Sequence, residues 1–299
     1  MLTLASFARP FVALAAALSL TAQTPPVAQL GVQFPPMTAL AAYKKTAFDD
    51  IRDNLHATYV RIGWYPDSRF DKTPWAREDR AMHRVCRSGL KVMVITPSIH
   101  EDKKGAEHLY ANIDEFFARY EQREPGCIAY AELANEADLQ RNRFAGVEEY
   151  AGYYERVAPI VARYGIKVVT SGTSGKDLPW TYSLASLLAG ASPLPPLDGF
   201  GFHPYGVPSS QMANAVNAMR QVTSLFPGIR KPNDIYITEL GEQNPSDLYS
   251  AIVNLAHETP AITIFEYEHQ AGDDPGYTLK DNPALYDAVV RAWKRVTTP

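Results

Sequence analysis

Residues 131–138 read Ala131-Glu132-Leu133-Ala134-Asn135-Glu136-Ala137-Asp138, an apolar run that closes on carboxylates. A second stretch, Ile235-Tyr236-Ile237-Thr238-Glu239-Leu240-Gly241, has the same form. Strands buried on both faces read as continuous apolar runs, and in a parallel barrel their C-terminal ends deliver side chains into one shared mouth. Two glutamates meeting there can share a reaction. With carboxyls roughly 5 Å apart, one attacks an anomeric carbon while the other protonates the leaving oxygen, the chemistry of retaining glycoside hydrolysis.

Working outward, strand-like runs fall at 30–34, 57–64, 90–96, 127–136, 166–171, 197–203, 234–239 and 262–267. Helix-like segments lie between and after them, at 38–55, 75–88, 106–121, 147–164, 182–190, 210–225, 246–258 and 283–296. Ser88-Gly89, Tyr164-Gly165 and Pro227-Gly228 put glycine where helices should stop, and Asn282-Pro283 is a cap followed by first-turn proline. Eight alternating units without a composition break predict an α/β protein, a single (β/α)8 TIM barrel over 30–299. An open doubly wound sheet is the alternative. The nucleotide-binding glycine motifs that would favour it are missing from the sequence.

The 299 residues, 46% hydrophobic and 21% charged, have the composition of a soluble globular chain. Arg9 precedes an uncharged run, 10–22, which Thr21, Gln23, Thr24 and Pro25-Pro26 close too early for a membrane span. Residues 1–22 are therefore expected to be a secretory signal peptide, with 23–29 a spacer, and the protein secreted or periplasmic. A retained membrane anchor is the rival. The net charge is −4, and lysine pairs occur only as Lys44-Lys45 and Lys103-Lys104. That balance excludes a nucleic-acid footprint and fits a neutral partner such as a carbohydrate. Cys86 and Cys127 are too few for a disulfide framework, leaving one bridge near the bottom rim or two separately buried thiols.

Asn135-Glu136, ending the fourth strand, and Thr238-Glu239-Leu240-Gly241, ending the seventh, resemble glycoside hydrolase clan A, retaining β-glycosidases built on an eightfold barrel. The resemblance implies Glu136 as acid/base, Glu239 as nucleophile, and Asn135 as the holder of the sugar 2-hydroxyl. The sixth strand runs into Phe202-His203-Pro204-Tyr205-Gly206, similar to the clan's His-x-Tyr pattern, which implies that His203 and Tyr205 donate toward the nucleophile or the sugar. Arg61, inside Val60-Arg61-Ile62-Gly63-Trp64, is costly to bury unless paired, so a carboxylate partner is expected. The resemblance implies that it orients Glu239. Glu132 shares strand parity with Glu136 one layer deeper, as a structural partner for Arg61 or a histidine.

The eighth strand, Ile264-Phe265-Glu266-Tyr267-Glu268-His269-Gln270, lacks the clan's floor tryptophan, so Phe265 or Tyr267 must supply the aromatic floor, and Tyr267 is assigned to substrate. Trp64, Tyr65, Trp75, Trp180 and Tyr182 fall near the ends of the second and fifth strands, with Trp64 and Trp180 taken as sugar platforms. His100 either reaches the mouth or belongs to a Ser98–Glu101 helix cap. Two rivals remain: a metal-dependent barrel using His203, Glu136, Glu239, Glu266 and His269, though no compact His-Glu-x-x-His motif is present, and a catalytically inactive carbohydrate-binding barrel. The leading expectation is a monomeric enzyme with no metal and no cofactor.

Overall fold

The computed structural model describes residues 26–40, 43–64, 75–102, 104–139, 144–175, 177–229, 234–268 and 274–298. The expected signal peptide, the first three residues of the spacer, Tyr65 and His269 lie outside them. The strands are β1 (Gln29–Gln33), β2 (Tyr59–Gly63), β3 (Lys91–Ile95), β4 (Ile128–Leu133), β5 (Lys167–Thr170), β6 (Phe200–His203), β7 (Ile235–Leu240) and β8 (Ala261–Ile264). A two-residue segment, Thr173–Ser174, continues β5 beyond Ser171-Gly172.

All the pairings are parallel, each strand lies beside its sequence neighbours, and β1 pairs with β8. The remaining seam is closed at β5. Val169 bridges to Gly199, Asp198 N–H donates to the Val168 carbonyl at 2.8 Å, and Thr173–Ser174 pairs with β6. The sheet is thus a ring of eight strand positions, the expected barrel.

Helices follow the strands: α1 (Lys45–Asp53), α2 (Trp75–Arg87), α3 (Ala106–Arg123), α4 (Val147–Ala162), α5 (Leu178–Gly190), α6 (Met212–Ser224), α7 (Pro245–Leu255) and α8 (Pro283–Thr297). Their apolar faces cover the outside of the ring, which is why the strands are apolar on both faces. Asn282 caps the Leu285 N–H ahead of Pro283, as its sequence suggests. Gly89 and Gly165 take φ of +85° and +74° at helix ends.

Several boundaries depart from expectation, three of them for a visible reason. The first helix is broken into a turn at Met37–Leu40 and α1, because Lys44 is extended (φ −77°, ψ 154°) and Tyr43 turns its ring onto Phe34. α5 begins four residues early because Asp177 accepts from the Trp180 N–H and Pro179 fits the first turn. β4 ends at Leu133, and Ala134 (φ +67°) and Glu136 (φ +43°) leave the extended region.

Inside the ring, side chains stack in layers. Tyr59, Met93, Tyr130, Val169 and Tyr236 form an apolar plug near the strand starts, and Tyr59 shares a 2.8 Å hydrogen bond with Thr263. Gly31 makes room for it, since a Cβ there would sit 2.2 Å from the Tyr59 ring. One inward position further along β2, β4 and β7 come Arg61, Glu132 and Thr238, and the strand ends open above them. Cys86, in the last turn of α2, is bridged to Cys127, just before β4, with 5.7 Å between the Cα atoms. The disulfide is the one of the two thiol readings that holds.

Candidate active site

The carboxylates reach the mouth through irregular backbone. Glu136 follows β4 through two residues in the left-handed region, Ala134 and Glu136 itself, and this turn is held by Ala134 N–H to Thr96 Oγ1 (3.0 Å) and Ala137 N–H to Ser171 Oγ (2.9 Å). Glu239 lies inside a register shift: Ile237 pairs with Ile262 and Leu240 with Ile264, three steps against two. Such a bulge re-aims a side chain, so Thr238 and Glu239 both serve the interior while Leu240 packs in the outer core. Oxygens of Glu136 and Glu239 and a ring nitrogen of His203 all lie within 4.8 Å of one another.

Arg61 has no exposed surface and donates four ways. Nε bonds Glu132 Oε2 at 2.6 Å, Nη1 bonds Gln33 Oε1 at 2.7 Å and Glu239 Oε1 at 2.5 Å, and Nη2 bonds Asn135 Oδ1 at 2.7 Å. Because the Asn135 oxygen is taken by Arg61, its amide N–H2 is the end available for an acceptor. Glu132 also accepts from Gly172 N–H (2.9 Å) and Thr238 Oγ1–H (3.1 Å). Gly172 is required there, as a Cβ would meet His203 Nε2 at 2.2 Å. Burial alone would raise the Glu132 pKa, but Arg61 and then His203 outweigh it and hold the carboxyl at about 2.

His203 is fully buried, donating from Nε2 to Thr238 Oγ1 at 2.9 Å, with Nδ1 3.4 Å from Glu136 and 3.5 Å from Glu239. Burial disfavours its charged form, yet Glu239, Glu132 and Glu136 together raise it to about 9. Tyr205 donates from its hydroxyl to Glu239 Oε2 at 3.0 Å; burial and Glu239 push its pKa well up, so it stays a donor. Asp138 Oδ2 accepts from Ser174 N–H at 2.9 Å, a bond that lowers its pKa, but burial outweighs it and, with a smaller push from the Glu136 charge, raises that carboxyl to about 6.

The residues expected at the mouth thus divide. Glu136, Glu239, Asn135, Arg61, His203 and Tyr205 converge. Trp64 does not: it is 3% exposed, with its ring 4.3 Å from Phe116 of α3 and 6.4 Å from Trp75, so it packs behind the barrel wall. Trp180 rides on α5 instead of a loop and packs at 5.4 Å on Tyr150. Tyr267 is 5% exposed, stacked on Phe34, with its hydroxyl donating to Asp50 of α1. The aromatic wall beside Glu239 is instead Tyr205, Phe265 and Tyr277, with edge contacts of 6.1–6.4 Å, and Gly241 lets two of these rings approach. The Phe265–Glu266 peptide is cis. His100 pairs with Glu149 on the surface, while Glu101 accepts from Ser98 N–H, which fits the capping alternative.

Gln33, Thr238 and Tyr277 were not foreseen. A polar residue closing an apolar strand was the available signal for Gln33. Among the described residues, Glu136, His203 and Glu239 are also the group that could hold a metal ion. The donor set fits one poorly: the Arg61 guanidinium and the Tyr205 hydroxyl already occupy Glu239, and a cation would have to sit beside that fixed positive charge. Glu266 is fully buried and outside this cluster, and His269 lies beyond the described residues.

No protein-family model matches the chain, and no curated protein matches it. Solved structures do. A GH39 β-xylosidase from Caulobacter crescentus superposes with a TM-score of 0.67 at 15% identity, over 89% of this chain and 71% of that one. A family 30 subfamily 8 xylanase from Clostridium acetobutylicum gives 0.63 at 16%, over 91% and 72%. A GH5_18 protein from Streptomyces cattleya, in complex with GlcNAc, gives 0.64 at 13%, over 92% and 82%. The likeness is one of fold. That fold is the (β/α)8 barrel expected from the alternating strand and helix pattern of the sequence.

Proposed function

We propose that the protein is a secreted retaining β-glycosidase acting on a poly- or oligosaccharide. The observation that carries this reading is the approach of Glu136 and Glu239 to within 4.8 Å at the C-terminal end of a parallel barrel. Retaining enzymes hold their carboxyls about 5–5.5 Å apart, whereas inverting ones leave about 6.5–9.5 Å for a water. Export is supported by the apolar N-terminal run and by the Cys86–Cys127 bridge, which belongs in an oxidising compartment. Among the described residues no helix is long and apolar enough to cross a membrane.

In this reading Glu239 is the nucleophile. Its two donors, Arg61 and Tyr205, hold the carboxylate and orient the attacking oxygen. Glu136 protonates the leaving oxygen and then, as base, activates the water that resolves the glycosyl-enzyme intermediate. The amide N–H2 of Asn135 donates to the sugar 2-hydroxyl, and Phe265 and Tyr277 form the apolar wall for the ring.

Turnover of aryl β-glycosides and of β-glucan, xylan, mannan and galactan oligosaccharides tests this. Glu239→Ala should abolish release, and Glu136→Gln should lower it roughly 10²–10⁴-fold. Azide added to Glu136→Ala should yield a β-glycosyl azide. If Glu239→Ala matches wild type, Glu239 is not the nucleophile and the retaining assignment fails; if saturable glycan binding occurs with no turnover of any substrate, the inactive-barrel reading replaces this one.

A further inference from the structure

The turn that carries Glu136 to the mouth is strained backbone. Ala134 (φ +67°) and Glu136 (φ +43°) sit in the left-handed region without being glycine, and such residues persist only where their surroundings over-determine them. Here the surroundings are hydroxyls. Thr96, one residue past β3, accepts the Ala134 N–H at 3.0 Å and shares a 2.7 Å hydrogen bond with the Tyr153 hydroxyl. Tyr153 donates its one proton to the Pro97 carbonyl at 2.7 Å, so the Thr96 hydroxyl is the donor to Tyr153. On the other side of the turn, Ser171, one residue past β5, accepts the Ala137 N–H at 2.9 Å. The Ser171 N–H donates to the Tyr150 hydroxyl at 2.6 Å, and that hydroxyl donates to the Leu133 carbonyl at 2.8 Å.

Both chains of hydrogen bonds end on α4. Tyr150 and Tyr153 are three residues apart and so share one face of the helix. Thr96, Ser171, Tyr150 and Tyr153 are each at most 1% exposed. Burial pushes both tyrosine pKa values well up, so the hydroxyls keep their protons. Packing fixes the rings as well: Phe144 lies 5.2 Å from Tyr150 and 5.5 Å from Tyr153, and Trp180 lies 5.4 Å from Tyr150. This grip falls on the backbone at Leu133, Ala134 and Ala137, not on the carboxyl. That suits an acid, because each donor placed on a carboxyl favours its ionised form.

We propose that Thr96, Ser171, Tyr150 and Tyr153 are positioning residues for Glu136, a clasp from α4 on which proton delivery to the leaving oxygen depends. The proposal rests on the retaining reading above. In the first step a Glu239 oxygen bonds the anomeric carbon, the bond from that carbon to the leaving oxygen breaks, and its electron pair departs with the oxygen, which takes the Glu136 proton when it is basic. With the clasp loosened, Arg61 and Tyr205 still hold Glu239. Attack then continues where the leaving group needs no proton and fails where it does.

The test compares kcat/KM for dinitrophenyl and phenyl β-glycosides of the sugar turned over, each variant being assayed below its unfolding midpoint. Thr96→Val keeps the shape and removes one hydroxyl, and Tyr150→Phe does the same on the other side of the turn. Each should lower kcat/KM for the phenyl glycoside about 10²-fold, the effect of moving a reacting group by about 1 Å. The dinitrophenyl glycoside, whose phenoxide leaves unprotonated, should be little changed in kcat/KM. Its kcat should fall, because hydrolysis of the intermediate needs the same carboxylate as base, and azide should restore it with a β-glycosyl azide product. Thr96→Ser keeps the hydroxyl and should keep the wild-type ratio between the two substrates. Ser171→Ala, which strands a single N–H, replaces Tyr150→Phe if that variant does not fold. Equal loss on both substrates means that the hydroxyls only support the fold, and that result, or no loss at all, overturns the proposal alone. Glu136→Ala is the benchmark: if it also loses both substrates equally, or if wild type turns over neither, the catalytic reading fails and this proposal falls with it.

Discussion

A guanidinium taken out of water is tolerable only when its donors are met, and Arg61 meets Gln33, Glu132, Asn135 and Glu239 at 2.5–2.7 Å. The same contacts tie four strands, β1, β2, β4 and β7, together at the level where the chemistry is proposed. A lysine could not reproduce them, since an ammonium is a point charge without the planar fork. Replacement by methionine keeps much of the volume but strands two carboxylates, Glu132 with no exposure and Glu239 with little. Arg61→Met should therefore lose about 3–5 kcal/mol in urea unfolding. A loss under about 1 kcal/mol would show that neighbouring donors, not the guanidinium, hold the two acids. The expectation that Arg61 needed a carboxylate came from charge inside an apolar strand, and that signal is strong because burial of an unpaired charge is so unfavourable.

At the scale of elements, the barrel depends on how β4 is anchored. Its start is tied to α2 by Cys86–Cys127, while its end is turned by Ala134 and Glu136. The bridge closes a loop with a sequence separation of 41. Loop-closure entropy for that length contributes about 4 kcal/mol by limiting the unfolded chain. Reduction, or the Cys86→Ala/Cys127→Ala double variant, should lower the unfolding midpoint accordingly and leave turnover below that midpoint unchanged. Turnover lost in step with the bridge, before unfolding, would mean that the bridge positions Glu136 as well. A second clasp joins first and last elements: Tyr267 and Tyr286 both donate to Asp50, at 2.8 and 2.9 Å, linking α1, the segment after β8, and α8. Tyr267 therefore belongs to barrel closure, a role its place in an aromatic strand end did not reveal.

For the molecule as a whole, the buried charge cluster sets the pH range of stability. His203 rises from 6.5 to about 9 on folding, so its contribution is complete below 6.5 and fades as pH climbs through 9. Glu132 falls from 4.5 to about 2, so its contribution is complete above 4.5 and fades as pH drops through 2. These two groups set limbs below about 4.5 and above about 6.5, each falling by on the order of 3 kcal/mol, while Asp138, raised from 3.8 to about 6, favours the fold when protonated and makes stability decline between them as pH rises. Urea midpoints across pH 2–10 would check this, with His203→Asn flattening the alkaline limb and Glu132→Gln the acid one. Alkaline stability in His203→Asn that still declines as in wild type would assign that limb to other groups.

The number and order of the strands, the disposition of the helices around them, and the pairing need of Arg61 were determined by the sequence itself. Each rests on a local property: apolar runs, helical spacing, caps such as Asn282-Pro283, or one charge in an apolar strand. Tertiary structure alone decided which glutamates face each other and which aromatics face them. A shift of one residue moves a strand side chain to the opposite face, so the aim of Glu136 hangs on two left-handed residues and that of Glu239 on a bulge against β8. Trp64 and Trp180 have the composition of sugar platforms, yet an indole is as well satisfied by Phe116 or Tyr150 as by a sugar, and only packing tells the two apart.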